Sequence, residues 1–418
     1  MLQKTLKPYA KSQTSGFMKS KNISIFGYGT TTKPLAKHIK NAVFYDDNCK
    51  EPYGGVNGSF VRPSHEFNPQ NSDLEITSPG IPPSNPLIKK AKNLISEYDY
   101  FEDTKPLKIW ISGTNGKTTT TQMMQHLLAD KKSLAGGNIG TALGDLDQNA
   151  PIWILETSSF TMHYTKIAKP NIYVLLPLSP DHLSWHGSMQ AYVEDKLKPL
   201  SMMQITDKAI IPEAYKNINT QAQIITYKDE EELAEIFEID TSKVSFEGAF
   251  LLDALLAMAV DKMLFERVDY KKINAFKLDP HRQEELRDSS NRLWVNDTKA
   301  TNLDATIAAL KRYKDSFIHI ILGGDDKGVD LHELFDFLKN KNLKIYAIGS
   351  NKEKLITLAQ EYGIKHKLCK NLADAVVQID KELQIDEIAL LSPAAASLDE
   401  FTSYAQRGDQ FKDALKLL

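Results

Sequence analysis

Lys108-Ile109-Trp110-Ile111-Ser112-Gly113-Thr114-Asn115-Gly116-Lys117-Thr118-Thr119-Thr120-Thr121 runs from an apolar strand through a glycine turn into the start of a helix. Such a turn aims successive backbone N–H groups at one spot, and the helix N-terminus adds positive potential there. Lys117 supplies a mobile cation for outer phosphates, and the Thr118 hydroxyl suits a Mg²⁺ ligand position. The stretch predicts a nucleoside triphosphate site on an α/β sheet. The strict phosphate-loop pattern wants glycine at position 111, where Ile111 stands. The alternative is a chance strand, turn and helix carrying a solvated lysine.

Working outward, Ile152–Leu155 and Ile172–Leu176 are near-continuous apolar runs, as expected of parallel strands buried on both faces. Glu156 follows the first, and Asp181-His182 follows the second after the turn Pro177–Pro180. Parallel sheets place ligand sites beyond the carboxyl ends of their strands. Glu156 and His182 are therefore candidate Mg²⁺ ligands, direct or through water. Helix capping is the alternative for Glu156, and an ordinary loop histidine is an equal alternative for His182. Lys196 lies in the helical stretch Gln190–Lys198 and by itself reads as a solvated charge. Ala249 to Met263, the most apolar stretch, is interrupted by Asp253 and Asp261 and reads as a buried helix.

Upstream, Asn22-Ile23-Ser24-Ile25-Phe26 leads into Gly27-Tyr28-Gly29-Thr30-Thr31-Thr32, a helix to about Ile39, and a strand Val43-Phe44-Tyr45 ending at Asp46-Asp47. This is a βαβ start with an acid after the second strand, although Thr32 replaces the third glycine of the dinucleotide fingerprint. A plain βαβ unit without a ligand is an equal reading. Leu74-Glu75-Ile76 then reaches the turn Thr77-Ser78-Pro79-Gly80. Downstream, Lys277–Arg282 reads as a boundary. Beyond it, strands at Leu293–Asn296, Phe317–Leu322, Lys344–Ile348 and Glu387–Leu391 alternate with helical stretches near 302–314, 330–340, 351–362 and 371–382. Their polar ends, Asn296–Asn302, Gly323–Gly328 and Ser392–Ser397, lie on one edge of one sheet and read as a ligand face.

The bulk figures set limits. A chain of 418 residues holds two to four domains. Its net charge of −3 gives no global attraction to nucleic acid or membrane. Cys49 and Cys369 form no disulfide framework, which suits a reducing compartment. Residues 1–21 carry five lysines but no apolar segment; they read as a disordered lead-in, with initiation at Met18 as the alternative. The expected architecture is α/β, with three domains each built on a mainly parallel sheet. These are a Rossmann-like domain over 1–104, a P-loop ATPase-like domain over 105–278 and a second Rossmann-like domain over 279–418.

As a set, Gly113–Thr119, Glu156 with Ser158-Ser159-Phe160, Asp181-His182, Pro280-His281-Arg282, Asn296–Asn302, Gly323-Gly324-Asp325 and Leu391-Ser392-Pro393 resemble the Mur ligase family, from about Ile23 to the C-terminus. The family's phosphate loop lacks the outermost glycine, which accounts for Ile111. The resemblance implies an ATP-dependent amide ligase that adds D-glutamate to UDP-MurNAc-L-Ala through an acyl phosphate. It further implies a monomer in the cytoplasm that acts on small molecules, with no nucleic acid or membrane partner.

By that resemblance Thr30, Thr31, Asp46, Ser78, Pro79, Gly80, Asn138 and Ser159 contact the UDP substrate. Gly113, Thr114, Asn115, Gly116, Lys117, Thr118 and Thr119 hold ATP phosphates, and His281, Arg282, Asp297 and Lys299 hold the rest of the nucleotide. Thr301, Lys327, Ser392 and Phe401 match the D-glutamate pocket. Two Mg²⁺ ions are served by Thr118, Glu156, His182 and Lys196, the last carbamylated by CO₂. Lys117, Glu156, His182 and Lys196 form the catalytic group. Two departures stand out: Asn48 replaces a basic residue that the family often carries, and Ala249–Asp253 replace its usual His-Asn…Asn. Uracil and adenine contacts are accordingly expected to differ. A sister ligase, such as folylpolyglutamate synthetase, and a P-loop switch protein are the rival readings.

Overall fold

The structure is a computed structural model that describes residues 22–418, so the reading of 1–21 lies outside the described residues. Three six-stranded sheets form the frame. The first contains β1 (Ile23–Phe26), β2 (Val43–Asp46), β3 (Tyr53–Gly54), β4 (Phe60–Pro63), β5 (Leu74–Thr77) and β6 (Leu94–Ile95), ordered β3-β4-β2-β1-β5-β6. The second contains β7 (Leu107–Ser112), β8 (Ser133–Gly137), β9 (Ile152–Glu156), β10 (Ile172–Leu175), β11 (Lys208–Pro212) and β12 (Gln223–Tyr227), ordered β12-β11-β10-β7-β9-β8 and wholly parallel. The third contains β13 (Glu284–Arg287), β14 (Leu293–Asn296), β15 (Ile318–Leu322), β16 (Leu343–Ala347), β17 (Lys365–Leu368) and β18 (Ile388–Leu391), ordered β13-β14-β18-β15-β16-β17.

The chain falls into two compact units: residues to Phe246 with Phe250–Phe276, and Glu247–Ala249 with Lys277–Leu418. The first unit holds the first two sheets, whose buried residues, among them Ile25, Phe44, Ile76, Tyr98, Trp110 and Trp153, join in one core. The second unit has a core on each face of its sheet. Val295, Ile320 and Leu390 face one side, and their strand neighbours Trp294, Ile321, Ala389 and Leu391 face the other. Alternate residues of a strand point to opposite faces, so strands buried on both sides must be apolar throughout.

Three local features depart from expectation. The helix to Ile39 is instead a 3₁₀ turn, Lys33–Lys37. Pro34 donates no N–H, and left-handed Asn41 follows too soon for a longer helix to propagate. The last sheet is mainly parallel, as expected, and its departure lies in an edge strand not read from the sequence, β13, which pairs antiparallel with β14. Both of that sheet's edge strands, Glu-Glu-Leu-Arg and Lys-His-Lys-Leu, are too charged to read as strands; charge is how exposed edges resist pairing with other chains. The helix Ala249–Phe265 forms as expected, and its two acids are paired. Asp253 accepts from Thr120 Oγ1 at 2.8 Å, and Asp261 meets Arg267 Nε at 2.8 Å. Among the described residues, no helix is long and apolar enough to cross a membrane.

Candidate active site

β7 ends at Ser112, and the turn Gly113–Gly116 feeds the helix Lys117–Leu128. Ile111 belongs to the strand, fully buried and in register with Val174 and Glu156, so the turn opens only at Gly113. Gly113 (φ +149) and Gly116 (φ +82) both lie in backbone regions that side chains avoid. A Cβ on Gly113 would stand 2.5 Å from Leu176 Cβ, and one on Gly116 would strike the Asp253 carboxylate. Lys117 curls over the loop, donating to Gly113 O at 3.0 Å and Thr114 O at 2.7 Å. Thr114 Oγ1 is fixed by the Tyr192 hydroxyl at 2.9 Å and the Ser179 N–H at 2.9 Å, which joins the loop to the segment after β10.

Lys196 sits on the helix Met189–Met202 and is 1% exposed. Its Nζ donates to Gly113 O at 2.8 Å and Ser112 Oγ at 3.1 Å, and lies 5.0 Å from the Tyr192 ring centre. Burial, and then the Lys117 ammonium, hold its pKa well below the ordinary lysine value, against the pull of Asp181, Glu156 and Asp195. The amine is thereby biased to its neutral, nucleophilic form.

Glu156 is the last residue of β9 and is 2% exposed. Its Oε1 accepts from Asn138 Nδ2 at 2.6 Å, whereas the buried Oε2 has no hydrogen-bond partner among the described residues. A buried carboxylate oxygen left this way is costly unless a cation meets it. His182 is held left-handed at φ +53, 3.4 Å from Asp181 Oδ2 and against the Phe160 ring. Among the described residues, no three His, Cys, Asp or Glu side chains form a ready metal cage. Thr118 is half-buried in the first turn of the helix.

In the first sheet, the Tyr28 N–H donates to Asp46 Oδ2 at 2.6 Å, so the acid after β2 braces the glycine turn. Thr32 Oγ1 donates to Gly27 O at 2.6 Å, giving the residue in place of the third glycine a structural bond. Thr30 is exposed and Thr31 half-buried at this edge. The Ser78-Pro79-Gly80 turn lies beside Gly27, with Ser78 N bonded to Phe26 O. Ser159 is buried and bonded to His186.

In the second unit, Ser392 is fully buried, its hydroxyl donating to Asp297 Oδ2 at 2.8 Å. Burial raises the Asp297 carboxyl to about 7. Lys299 lies 5.4 Å over the Tyr404 ring, and Asn296 Nδ2 donates to His281 Nδ1 at 3.0 Å. Arg282 Nε is buried without a hydrogen-bond partner among the described residues. Lys327 is exposed on the loop after β15, Thr301 is half-buried, and Phe401 packs against the core of the last sheet. Phe401 and Ser392 thus face protein more than open space.

Sequence reasoning missed Arg407. It is fully buried, and its guanidinium donates to Thr298 Oγ1 and to the carbonyls of Thr298, Gly323, Ala395 and Ala396. It ties together the loops that follow β14, β15 and β18. One arginine in an amphipathic helix, Tyr404–Leu415, carries no sequence signal that sets it apart from a solvated charge.

A glycine turn that hands a strand to a helix, with a lysine at the helix start, a neighbouring buried carboxylate and a buried lysine, defines a P-loop nucleotide-binding α/β protein. Residues 111–261 match the Mur ligase middle domain. Over 397 residues the chain is 53% identical to the UDP-N-acetylmuramoylalanine--D-glutamate ligase of Campylobacter jejuni, covering 94% of this chain and 99% of that one. It is 46% identical over 414 residues to the ligase of the same name from Helicobacter pylori, covering 93% and 98%. The MurF ligase of Thermotoga maritima, solved in complex with ADP, superimposes with a TM-score of 0.59 at 16% identity over 94% of this chain and 97% of that one, and so shares the fold. The chain belongs to the Mur ligase family, on the branch of these UDP-N-acetylmuramoylalanine--D-glutamate ligases.

Proposed function

We propose that this chain joins D-glutamate to UDP-N-acetylmuramoyl-L-alanine in an ATP-driven amide ligation, making a peptidoglycan precursor in the cytoplasm. The observation that carries the reading is the convergence of the phosphate loop, the open Glu156 oxygen and the buried Lys196 at one sheet edge. It occurs in a chain 53% identical along nearly its whole length to a ligase of that name. Residues 1–104 take the nucleotide sugar, 105–278 the ATP, and 279–418 the amino acid.

The substrate carboxylate attacks the γ-phosphorus, ADP leaves, and an acyl phosphate results. The D-glutamate amine attacks the acyl carbon, phosphate departs, and the nitrogen loses a proton. Lys117 exchanges its carbonyl partners for phosphate oxygens, and the glycine turn's N–H groups hold the same phosphates in place. Lys196, whose pKa burial holds well below the ordinary lysine value, adds CO₂ at Nζ and releases a proton, becoming an anionic carbamate. Glu156, His182, Thr118 and that carbamate would hold Mg²⁺, which when bound neutralises charge on the transferring phosphoryl group. The protein positions the reactants and keeps water out.

Phosphate release from ATP tests this, measured with UDP-MurNAc-L-Ala and each amino acid in turn. Release that depends on D-glutamate, and not on L-glutamate, glycine or diaminopimelate, is the expected result. Release with no amino acid would mark a nucleotide switch instead, and preference for another amino acid would mark a sister ligase.

A further inference from the structure

Ser159, His186, Asp195 and His163 form one hydrogen-bonded chain beside the phosphate loop. His186 Nδ1 lies 2.9 Å from Asp195 Oδ2, and His186 Nε2 lies 2.9 Å from Ser159 Oγ. His163 Nδ1 reaches the same Asp195 oxygen at 2.9 Å. The His186 side chain is 0% exposed, among the rings of Phe160, Trp185 and Tyr192. With the Asp195 oxygen as acceptor, each Nδ1 is the donor of its bond. With hydrogen on Nδ1, the other ring nitrogen, Nε2, faces the Ser159 hydroxyl as its acceptor.

Each member stands on a different segment of the site. Ser159 opens the helix that follows Glu156, His186 ends the turn that begins after His182, and Asp195 immediately precedes Lys196. One imidazole therefore spans the segments that carry all three groups. Its two nitrogens sit on one rigid ring, so a single side chain bridges Ser159 and Asp195. Among the described residues, one Glu156 oxygen has no hydrogen-bond partner, and the Lys196 amine is bonded to the phosphate loop. Asn138 holds one Glu156 oxygen from one side, and the His186 network braces the segments that carry Glu156, His182 and Lys196 from the other.

We propose that His186 is a positioning residue, which through Ser159 and Asp195 sets the spacing of Glu156, His182 and Lys196 for metal-bound nucleotide. The inference rests on the ligase reading above. Groups behind metal ligands typically change metal affinity about 10- to 100-fold when removed. A cavity of about 750 Å³, lined by Pro82, Pro83, His163, Trp185, His186 and Asp195 among others, lies beside the network and is larger than an imidazole.

The test is Mn²⁺ binding by the full-length protein, followed by electron paramagnetic resonance with a non-hydrolysable ATP analogue, alongside the D-glutamate KM. His186→Phe keeps a ring without hydrogen bonds. It should weaken Mn²⁺ binding about 10- to 100-fold while leaving the D-glutamate KM within about twofold. In His186→Ala, imidazole should restore Mn²⁺ binding and thiophene should not; this arm decides if His186→Phe does not fold. Unaltered Mn²⁺ affinity in folded His186→Phe, or equal rescue by thiophene, would overturn the inference and leave the ligase reading intact. No Mn²⁺–nucleotide binding by the unsubstituted protein would overturn both.

Discussion

Lys196 shows how much a single side chain depends on the fold around it. In sequence it is one lysine on a charged helix; in the structure it is buried against Gly113 O and Ser112 Oγ. Burial lowers its pKa, which favours the neutral amine that carbamylation by CO₂ requires. Lys196→Ala should fold, with an unchanged circular dichroism spectrum, and lose activity by about 100-fold or more, the scale of a lost charge-stabilising group. Full turnover would remove the carbamate from the account. Asp297 gives a pH signature. Its carboxyl is raised from 3.8 to about 7 by burial, so the native state holds this proton across that interval and the unfolded state does not. The contribution to stability is complete below 3.8 and is lost as pH rises through about 7. Asp297→Asn has no such loss. The difference in unfolding free energy, variant minus wild type, should therefore grow from about pH 4 to about pH 8 in urea titrations. A flat difference would mean that Asp297 is already ionised in the native state.

At the scale of elements, the phosphate loop and the loops of the last sheet make contrasting cases. The loop 113–116 is short and sterically closed. Gly113→Ala must relieve both a positive φ and a contact with Leu176, a strain of about 1–3 kcal/mol. Nucleotide affinity measured by calorimetry should drop roughly tenfold or more, and unchanged affinity would show that the turn is not held as described. This loop was readable because its glycines, lysine and flanking apolar strand are adjacent in the chain. The parallel strands β14, β15, β16 and β18 were readable from their apolar runs. The edges β13 and β17 were not, because edge strands are selected for charge. Nor was the hub at Arg407, whose partners come from three distant loops. Burial pushes its guanidinium down to about 10, yet five loop donations keep it in place. Arg407→Lys cannot reproduce a planar fork and should lower stability by about 2–4 kcal/mol in urea unfolding. An unchanged midpoint would mean that the loops hold themselves. Ser392, matched to the amino-acid pocket, has a partner that lies far away in the chain and could not be read from it: its hydroxyl donates to Asp297.

At the scale of the molecule, a phosphate loop alone would make a nucleotide-binding protein of many kinds. What narrows it is a first sheet with a braced glycine turn, a second with a phosphate cradle, and a third whose strand ends carry loops tied from within. In the proposed reaction one oxygen joins the substrate carbonyl to the γ-phosphorus in the acyl phosphate. The most direct measurement follows that atom. UDP-MurNAc-L-Ala labelled with ¹⁸O in its alanine carboxylate is turned over with ATP and D-glutamate, and the released phosphate is weighed by mass spectrometry. The account predicts one labelled oxygen from the carboxylate in each phosphate, alongside a new amide. Unlabelled phosphate, released while ATP is consumed, would contradict it.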